Sequence, residues 1–164
     1  MIKGRVWKYG DDVNTDVIFP GRYTYTVTDP REIAGHALED LDPDFAKDVK
    51  PGDMVVAGKN FGCGSSREQA ALCLKYAGVA AVVAASFARL FFRNAINAGL
   101  ATVACPEAVP SIRAGDEIAI NFETGELTAA DGSRYRFAPL PPEVVGILEA
   151  GGLVPYVEKE LAIG

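Results

Sequence analysis

Gly58, Gly62 and Gly64 lead into Ser65, Ser66 and Arg67, so one short stretch concentrates pliable backbone, two hydroxyls and a guanidinium. Glycine reaches positive φ and lets the main chain approach a ligand with no Cβ in the way. The stretch follows Met54-Val55-Val56-Ala57, which reads as a buried strand. It leads into Ala70-Ala71-Leu72-Cys73-Leu74-Lys75-Tyr76-Ala77, whose apolar positions recur at helical spacing. Ser65 and Glu68 stand at the separation of a capping box, which predicts Ser65 as the N-cap and aims free N–H groups at the space in front. Such a turn holds anions, and Arg67 can grip a carboxylate through two hydrogen bonds. A purely structural turn accounts for strand, glycines and cap equally well. The serine pair and arginine behind the glycines nevertheless bring more polar chemistry than a turn requires. No Gly-Lys-Ser/Thr closes the loop as in a Walker site, and the GxGxxG spacing of a dinucleotide site is absent.

Asp16 is a second candidate, because it immediately precedes Val17-Ile18-Phe19 and so sits at the edge of an apolar run, oriented toward a site. The loop before it, Gly10 to Thr15, is dense in turn formers but lacks the ligand pattern of a calcium loop. His36, the single histidine, lies in an amphipathic segment and reads as a surface or packing residue. Cys63, Cys73 and Cys105 form no CxxC pair, which indicates neither a disulfide framework nor a metal site. Cys73 and Cys105 read as core. Cys63 sits in the glycine turn, where small size matters more than sulfur.

The elements that must position these groups follow from the apolar pattern. Ile2 to Tyr9 reads as a strand, and Asp29-Pro30 opens a helix running to Leu38 or Leu41. Pro20 to Thr28 fits a strand or an exposed loop. Val79 to Ala85 is a strand covered on both faces. Ser86 caps a helix that Gly99 stops, with Phe87, Leu90, Phe91 and Ala95 as its core stripe and Arg89 and Arg93 on another face. Leu100 to Ala104 closes a second βαβ crossover, so the sheet is parallel or mixed with helices packed on it. Beyond Pro106, hairpin turns at Thr124-Gly125 and Asp131-Gly132 join short strands, and two helices span Glu143 to Ala150 and Leu153 to Leu161.

A chain of 164 residues suits one compact α/β domain, residues 1–164. The net charge of −6 argues against a general nucleic-acid binder and leaves only local basic residues for anionic ligands. No apolar run has the length of a membrane span, and Met1 to Arg5 leads into strand-like sequence with no signal-peptide core, so the reading is cytoplasmic.

Asn14-Thr15-Asp16, Gly58 to Glu68, and Ser86-Phe87-Ala88-Arg89 with Arg93 to Asn97 together resemble the small subunit of the isopropylmalate isomerase and homoaconitase family, the counterpart of the swivel domain of aconitase. The resemblance runs from about Val6 to Ile120. It implies a swivelling β/β/α domain with a parallel or mixed sheet and a β-rich part. It also implies a large-subunit partner, in a heterodimer or heterotetramer, that carries a four-iron, four-sulfur cluster, with no cofactor or metal bound by this chain. The family reaction is a hydro-lyase isomerisation of a small dicarboxylate. Carried over, Ser65 resembles the general base, Asp16 the acidic support of proton transfer, and Ser66 and Arg67 the substrate-carboxylate ligands. The family's tyrosine-led segment, here Tyr23-Thr24-Tyr25-Thr26, sets which acid is taken. Homoaconitases place arginine third and isopropylmalate isomerases an apolar residue. Tyr25 departs from both, cannot supply the positive charge and favours isopropylmalate and leucine biosynthesis, with Arg22 next to the segment as a possible cation. Homoaconitase and dimethylmalate-type hydro-lyase activity remain alternatives, as does a non-catalytic dicarboxylate-binding module.

Overall fold

Alternation along the apolar runs decides which face of the sheet each residue serves. Side chains on a strand point to opposite faces in turn. Accordingly Val55, Ala57, Val82 and Ala84 enter one buried cluster, and Met54, Val56, Ala81 and Val83 enter another. The computed structural model describes residues 1–65 and 67–163. In chain order it contains β1 (Ile2–Lys8), α1 (Thr15–Ile18), a 3₁₀ turn (Gly21–Tyr23), α2 (Pro30–Gly35), α3 (Phe45–Asp48), β2 (Met54–Ala57), α4 (Glu68–Tyr76), β3 (Ala81–Ala84), α5 (Arg89–Ala98) and β4 (Ala101–Ala104). A second 3₁₀ turn (Val109–Ser111), β5 (Glu117–Asn121), β6 (Glu126–Thr128), β7 (Arg134–Arg136), α6 (Pro142–Ala150) and α7 (Leu153–Ile163) follow.

Seven strands form one mixed sheet in the order β4-β3-β2-β1-β5-β6-β7. The strands from β1 to β4 are mutually parallel, and β5 to β7 are antiparallel to their neighbours. β1 joins the halves: Ile2 to Arg5 pair with β5, and Val6 to Lys8 with β2. On one face Ile33 of α2, Ala70, Ala71 and Leu74 of α4, and Phe91 and Ala95 of α5 pack onto the parallel strands. On the other, Ile118, Ile120 and Leu127 share a cluster with Val6, Met54 and Val56, so the antiparallel half contributes to the core beneath the parallel half. Lys75 ties the helix layer together. Its Nζ donates to the carbonyls of Ala98 and Gly151, at the ends of α5 and α6, and burial lowers its pKa.

Several boundaries differ from the sequence reading. α4 starts at Glu68, and its N-cap is Arg67 in extended backbone (φ −131°, ψ 129°), so the expected Ser65–Glu68 capping box does not form. α5 starts at Arg89 instead of Ser86. The Ser86 hydroxyl instead accepts from the Asn60 N–H at 2.8 Å, and the chain through Ala88 runs as a bridge beside Phe61. α2 ends at Gly35, short of Leu38. The Leu38 N–H turns away to the Ile18 carbonyl at 2.8 Å. Pro20 to Thr28 forms a 3₁₀ turn and loop with no strand. Leu90, expected in the core stripe, is 52% exposed, whereas Phe91 and Ala95 are buried.

Candidate functional site

Parallel sheets gather ligand sites at the carboxyl ends of their strands, and here the loops after β1, β2 and β3 converge at that edge. Hydrogen bonds from Asp12 N–H to the Lys59 carbonyl (2.8 Å), Gly62 N–H to Val13 (2.7 Å) and Thr15 N–H to Cys63 (2.8 Å) lay the first loop along the glycine loop. Asp11 adds an acceptor for the Lys59 N–H at 2.7 Å. Gly58 is glycine because that carboxylate lies where a Cβ would go; it does not adopt the positive φ expected of it. Gly62 does, at 82°, and a Cβ there would overlap Phe91. Glycine at this point lets the loop lie directly on α5.

Asn14 caps α1 by accepting from the Val17 N–H at 2.9 Å, which puts Asp16 in the first turn. Thr15, buried beneath it, donates its hydroxyl to the Ser65 carbonyl at 2.7 Å. That bond fixes the backbone of Ser65 against α1 while the residue itself stays exposed. Gly64 is left-handed, with φ 96°, which is what calls for glycine there; a Cβ would meet the Thr15 hydroxyl only at contact distance, 3.4 Å.

Arg67 is the hub. Its Nη1 donates to Thr24 Oγ1 at 3.1 Å, and its Nη2 to the Phe19 carbonyl at 3.2 Å and to Asp16 Oδ1 in an ion pair. The Arg67 side chain is 16% exposed and that of Asp16 is 67% exposed, so one partner is anchored and the other meets solvent. Nε of Arg67 is buried with no hydrogen-bond partner among the described residues. The three acceptors hold the side chain back toward α1, which explains the extended backbone of Arg67 and the late start of α4.

The structure thus brings Ser65, Asp16 and Arg67 together. Arg22 is elsewhere, its guanidinium shared between Glu39 (3.3 Å) and Asp40 (3.2 Å), with its pKa raised first by the hydrogen bond to Asp40 and then by Tyr23. Tyr23 stacks on His36 with ring centroids 3.8 Å apart and lies under the Arg22 guanidinium. His36 is therefore a packing residue, as its setting in the sequence implies. Tyr25 is 95% exposed, one residue beyond the Thr24 that holds Arg67. Ser66 lies outside the described residues. Thr15 and Thr24 were not singled out by sequence. The Asn-Thr-Asp start of α1 carries a signal for the first, since a threonine behind a capping asparagine is aimed at the loop the cap faces.

Among the described residues no three His, Cys, Asp or Glu side chains gather as a metal ion would need. Cys73 and Cys105 are buried, and burial raises both thiol pKa values. These side chains do not fit an iron–sulfur cluster. A cavity of about 390 Å³ lined in part by Ile2, Ala80, Ala101 and Leu148 opens at the starts of the parallel strands, away from this edge. No helix among the described residues is long and apolar enough to cross a membrane.

Residues 15–108 match the model of the aconitase C-terminal domain. The isopropylmalate/citramalate isomerase small subunit of Methanocaldococcus jannaschii is 52% identical over 99% of this chain and 96% of its own length. The 3-isopropylmalate dehydratase small subunit of Aquifex aeolicus is 53% identical over 98% of this chain and 96% of its own. A crystal structure of 3-isopropylmalate dehydratase from M. jannaschii superposes with a TM-score of 0.91, at 46% identity, over 99% of this chain and 96% of that one. With the mixed sheet, the three converging loops and the Asp16–Arg67 pair, these matches place the chain in the aconitase C-terminal domain family, among the small subunits of 3-isopropylmalate dehydratase.

Proposed function

We propose that the chain, acting as one swivel-type domain over residues 1–164, interconverts 2-isopropylmalate and 3-isopropylmalate together with an iron–sulfur large subunit. The observation that carries the reading is the meeting of exposed Ser65, exposed Asp16 and anchored Arg67 at one sheet edge. The cluster belongs to the large subunit, and the Lewis-acid chemistry at the departing hydroxyl is its part. This chain's part is the proton and the substrate's carboxylates.

Ser65 Oγ takes the proton from the carbon next to the one that carries the hydroxyl and returns it after the intermediate has turned over. An alcohol is a weak base at neutral pH unless its anion is stabilised. Ser65 stands just ahead of the positive end of α4 and two residues from the Arg67 guanidinium, the setting such an anion needs. Thr24 and the Phe19 carbonyl hold Arg67 in place, while the solvent-facing Asp16 is the partner an incoming carboxylate can displace or share. Ser66 supplies a second carboxylate donor. The exposed Tyr25 ring packs against the branched alkyl group. Arg22 stays with Glu39 and Asp40, so it is not free to meet the additional carboxylate of a homoaconitate-type substrate. A second reading, citramalate in place of isopropylmalate, is supported by the name of the M. jannaschii relative and by an uncharged Tyr25, which accepts a methyl group as readily as an isopropyl group.

The test is to combine the chain with its large subunit under anaerobic conditions and assay 2-isopropylmalate, citramalate and homoaconitate side by side. Isopropylmalate turnover that requires both chains is the expected result. Absence of turnover on all three acids would sink the reading. Near-normal turnover of Ser65→Ala would remove Ser65 from its role, because a general base contributes roughly 10²–10⁴-fold.

A further inference from the structure

Of the three acceptors that hold Arg67, one belongs to the tyrosine-led segment that follows Pro20. Nη2 donates to both the Phe19 carbonyl (3.2 Å) and Asp16, whereas among the described residues Nη1 donates to the Thr24 hydroxyl alone, at 3.1 Å. Once an incoming carboxylate displaces or shares Asp16, the holds that remain are Phe19 and Thr24, one on each arm of the guanidinium. A grip by two parallel N–H bonds works only when the plane of the fork is aimed. Two fixed points aim it; with one, the fork pivots about Nη2. Thr24 is a fixed point because the turn beneath it is. Its N–H donates to the Gly21 carbonyl at 3.1 Å and closes the 3₁₀ turn. On one side Tyr23 is stacked on His36 and Arg22 is paired with Asp40. On the other the buried Val27 returns its N–H to the Tyr23 carbonyl at 3.0 Å. Thr24 is half-buried in this frame, and the next ring, Tyr25, projects into solvent. The hydroxyl that reaches the carboxylate grip and the ring proposed to meet the alkyl group are thus adjacent residues on one anchored turn.

We propose that Thr24 is a positioning and specificity-determining residue: its hydroxyl aims the Arg67 fork and sets the separation between the carboxylate grip and the Tyr25 ring. The turn then measures the substrate from carboxylate to alkyl group. The inference rests on the reading that Arg67 binds a substrate carboxylate and that Tyr25 faces the alkyl group. A hydroxyl present only to satisfy a guanidinium that is 16% exposed would matter to unfolding and leave substrate preference alone. A spacing device does the reverse. Loss of the bond lets the grip follow whichever acid arrives, so the preference between acids that differ only in alkyl size shrinks.

The experiment compares wild type, Thr24→Val, Thr24→Ser, Arg67→Lys and the Thr24→Val/Arg67→Lys double variant, each assembled with the large subunit under anaerobic conditions. KM and kcat are measured for 2-isopropylmalate and citramalate, and the melting temperature of each chain is taken beside them. Thr24→Val keeps the shape of the side chain and removes the hydroxyl. It should raise KM for 2-isopropylmalate roughly five- to tenfold, the worth of one hydrogen bond, with kcat held within about twofold. The ratio of kcat/KM between the two acids should narrow roughly threefold or more. Thr24→Ser should restore both. In the Arg67→Lys background Thr24→Val should add nothing, because the hydroxyl acts through the guanidinium. Thr24→Val with wild-type KM and an unchanged ratio overturns the proposal, whether or not its melting temperature falls. So does a full Thr24→Val effect in the Arg67→Lys background. Wild type inert on both acids, or Arg67→Lys with unaltered KM, instead removes the substrate reading and this inference with it.

Discussion

Arg67 shows how one side chain trades a helix start for a site. Its guanidinium takes three acceptors from the 15–24 region, and its backbone stays extended as a result. Lysine in its place carries the charge but not the planar fork, so Arg67→Lys should raise KM for the dicarboxylate roughly tenfold or more in steady-state assays of the assembled enzyme. Gly21 gives a finer probe. A Cβ there would stand 3.0 Å from Arg67 Nη1 and 3.2 Å from Asp16 Oδ1, in backbone that alanine tolerates. Gly21→Ala should therefore lower kcat/KM roughly ten- to a hundredfold by displacing the pair, with a melting temperature close to wild type. Ser65, Asp16 and Arg67 stood out in the sequence as candidates because residue type and motif marked them, and the structure places them along one sheet edge. The Asp16–Arg67 pairing was not legible there, because 51 positions separate the two and no local pattern reports a contact across that distance. The same holds for Arg22, which in sequence is simply a basic residue beside the specificity segment and in the fold belongs to Glu39 and Asp40.

At the level of elements, what was legible is what backbone periodicity enforces. The run at Met54 to Ala57 and, within Val79 to Ala85, the stretch Ala81–Ala84 are strands because they are apolar on both faces, and α5 stops at Gly99 because that residue is left-handed, φ 85°. What was hidden is where tertiary bonds outbid a local cap. Ser86 has the residue type of an N-cap, but its hydroxyl is engaged by Asn60, and α5 waits three residues. The loop-to-helix contact at Gly62 gives a prediction of this scale. Gly62→Ala combines left-handed strain with an overlap on Phe91 and should destabilise by about 2–4 kcal/mol in denaturant unfolding. Lys75→Met should cost about 1–3 kcal/mol, because the carbonyls of Ala98 and Gly151 lose a charged donor at two helix ends together.

For the molecule as a whole, pH offers a test that needs no partner. The Tyr9 hydroxyl donates to Asp42 Oδ2 at 2.9 Å, and its pKa is raised above 10.0, first by burial and then by Asp42. The folded state therefore holds this proton more tightly than the unfolded chain does. Its stabilisation is complete below pH 10.0 and drains away as pH rises further. Tyr9→Phe should cost about 1 kcal/mol at pH 7, and the gap from wild type should narrow above pH 10.0 when unfolding is measured across that range. Lys8 and Lys75, lowered by burial, act with the opposite sign as pH climbs toward 10.5, so the comparison between variants is the clean readout.

The split pairing of β1 also sets a timetable. Val6 to Lys8 can join β2 once residue 56 is available, but Ile2 must wait for Ile120. During synthesis the front of this strand leaves the ribosome long before its antiparallel mate exists. The parallel half is then free to assemble around a strand whose other edge is still bare, and the β5–β7 meander zips on last. Contacts so distant along the chain are slow to form. Refolding should accordingly show the helix-covered sheet protected from amide exchange before the meander, and Ile2→Pro, which removes a donor from the late seam alone, should delay only the second phase.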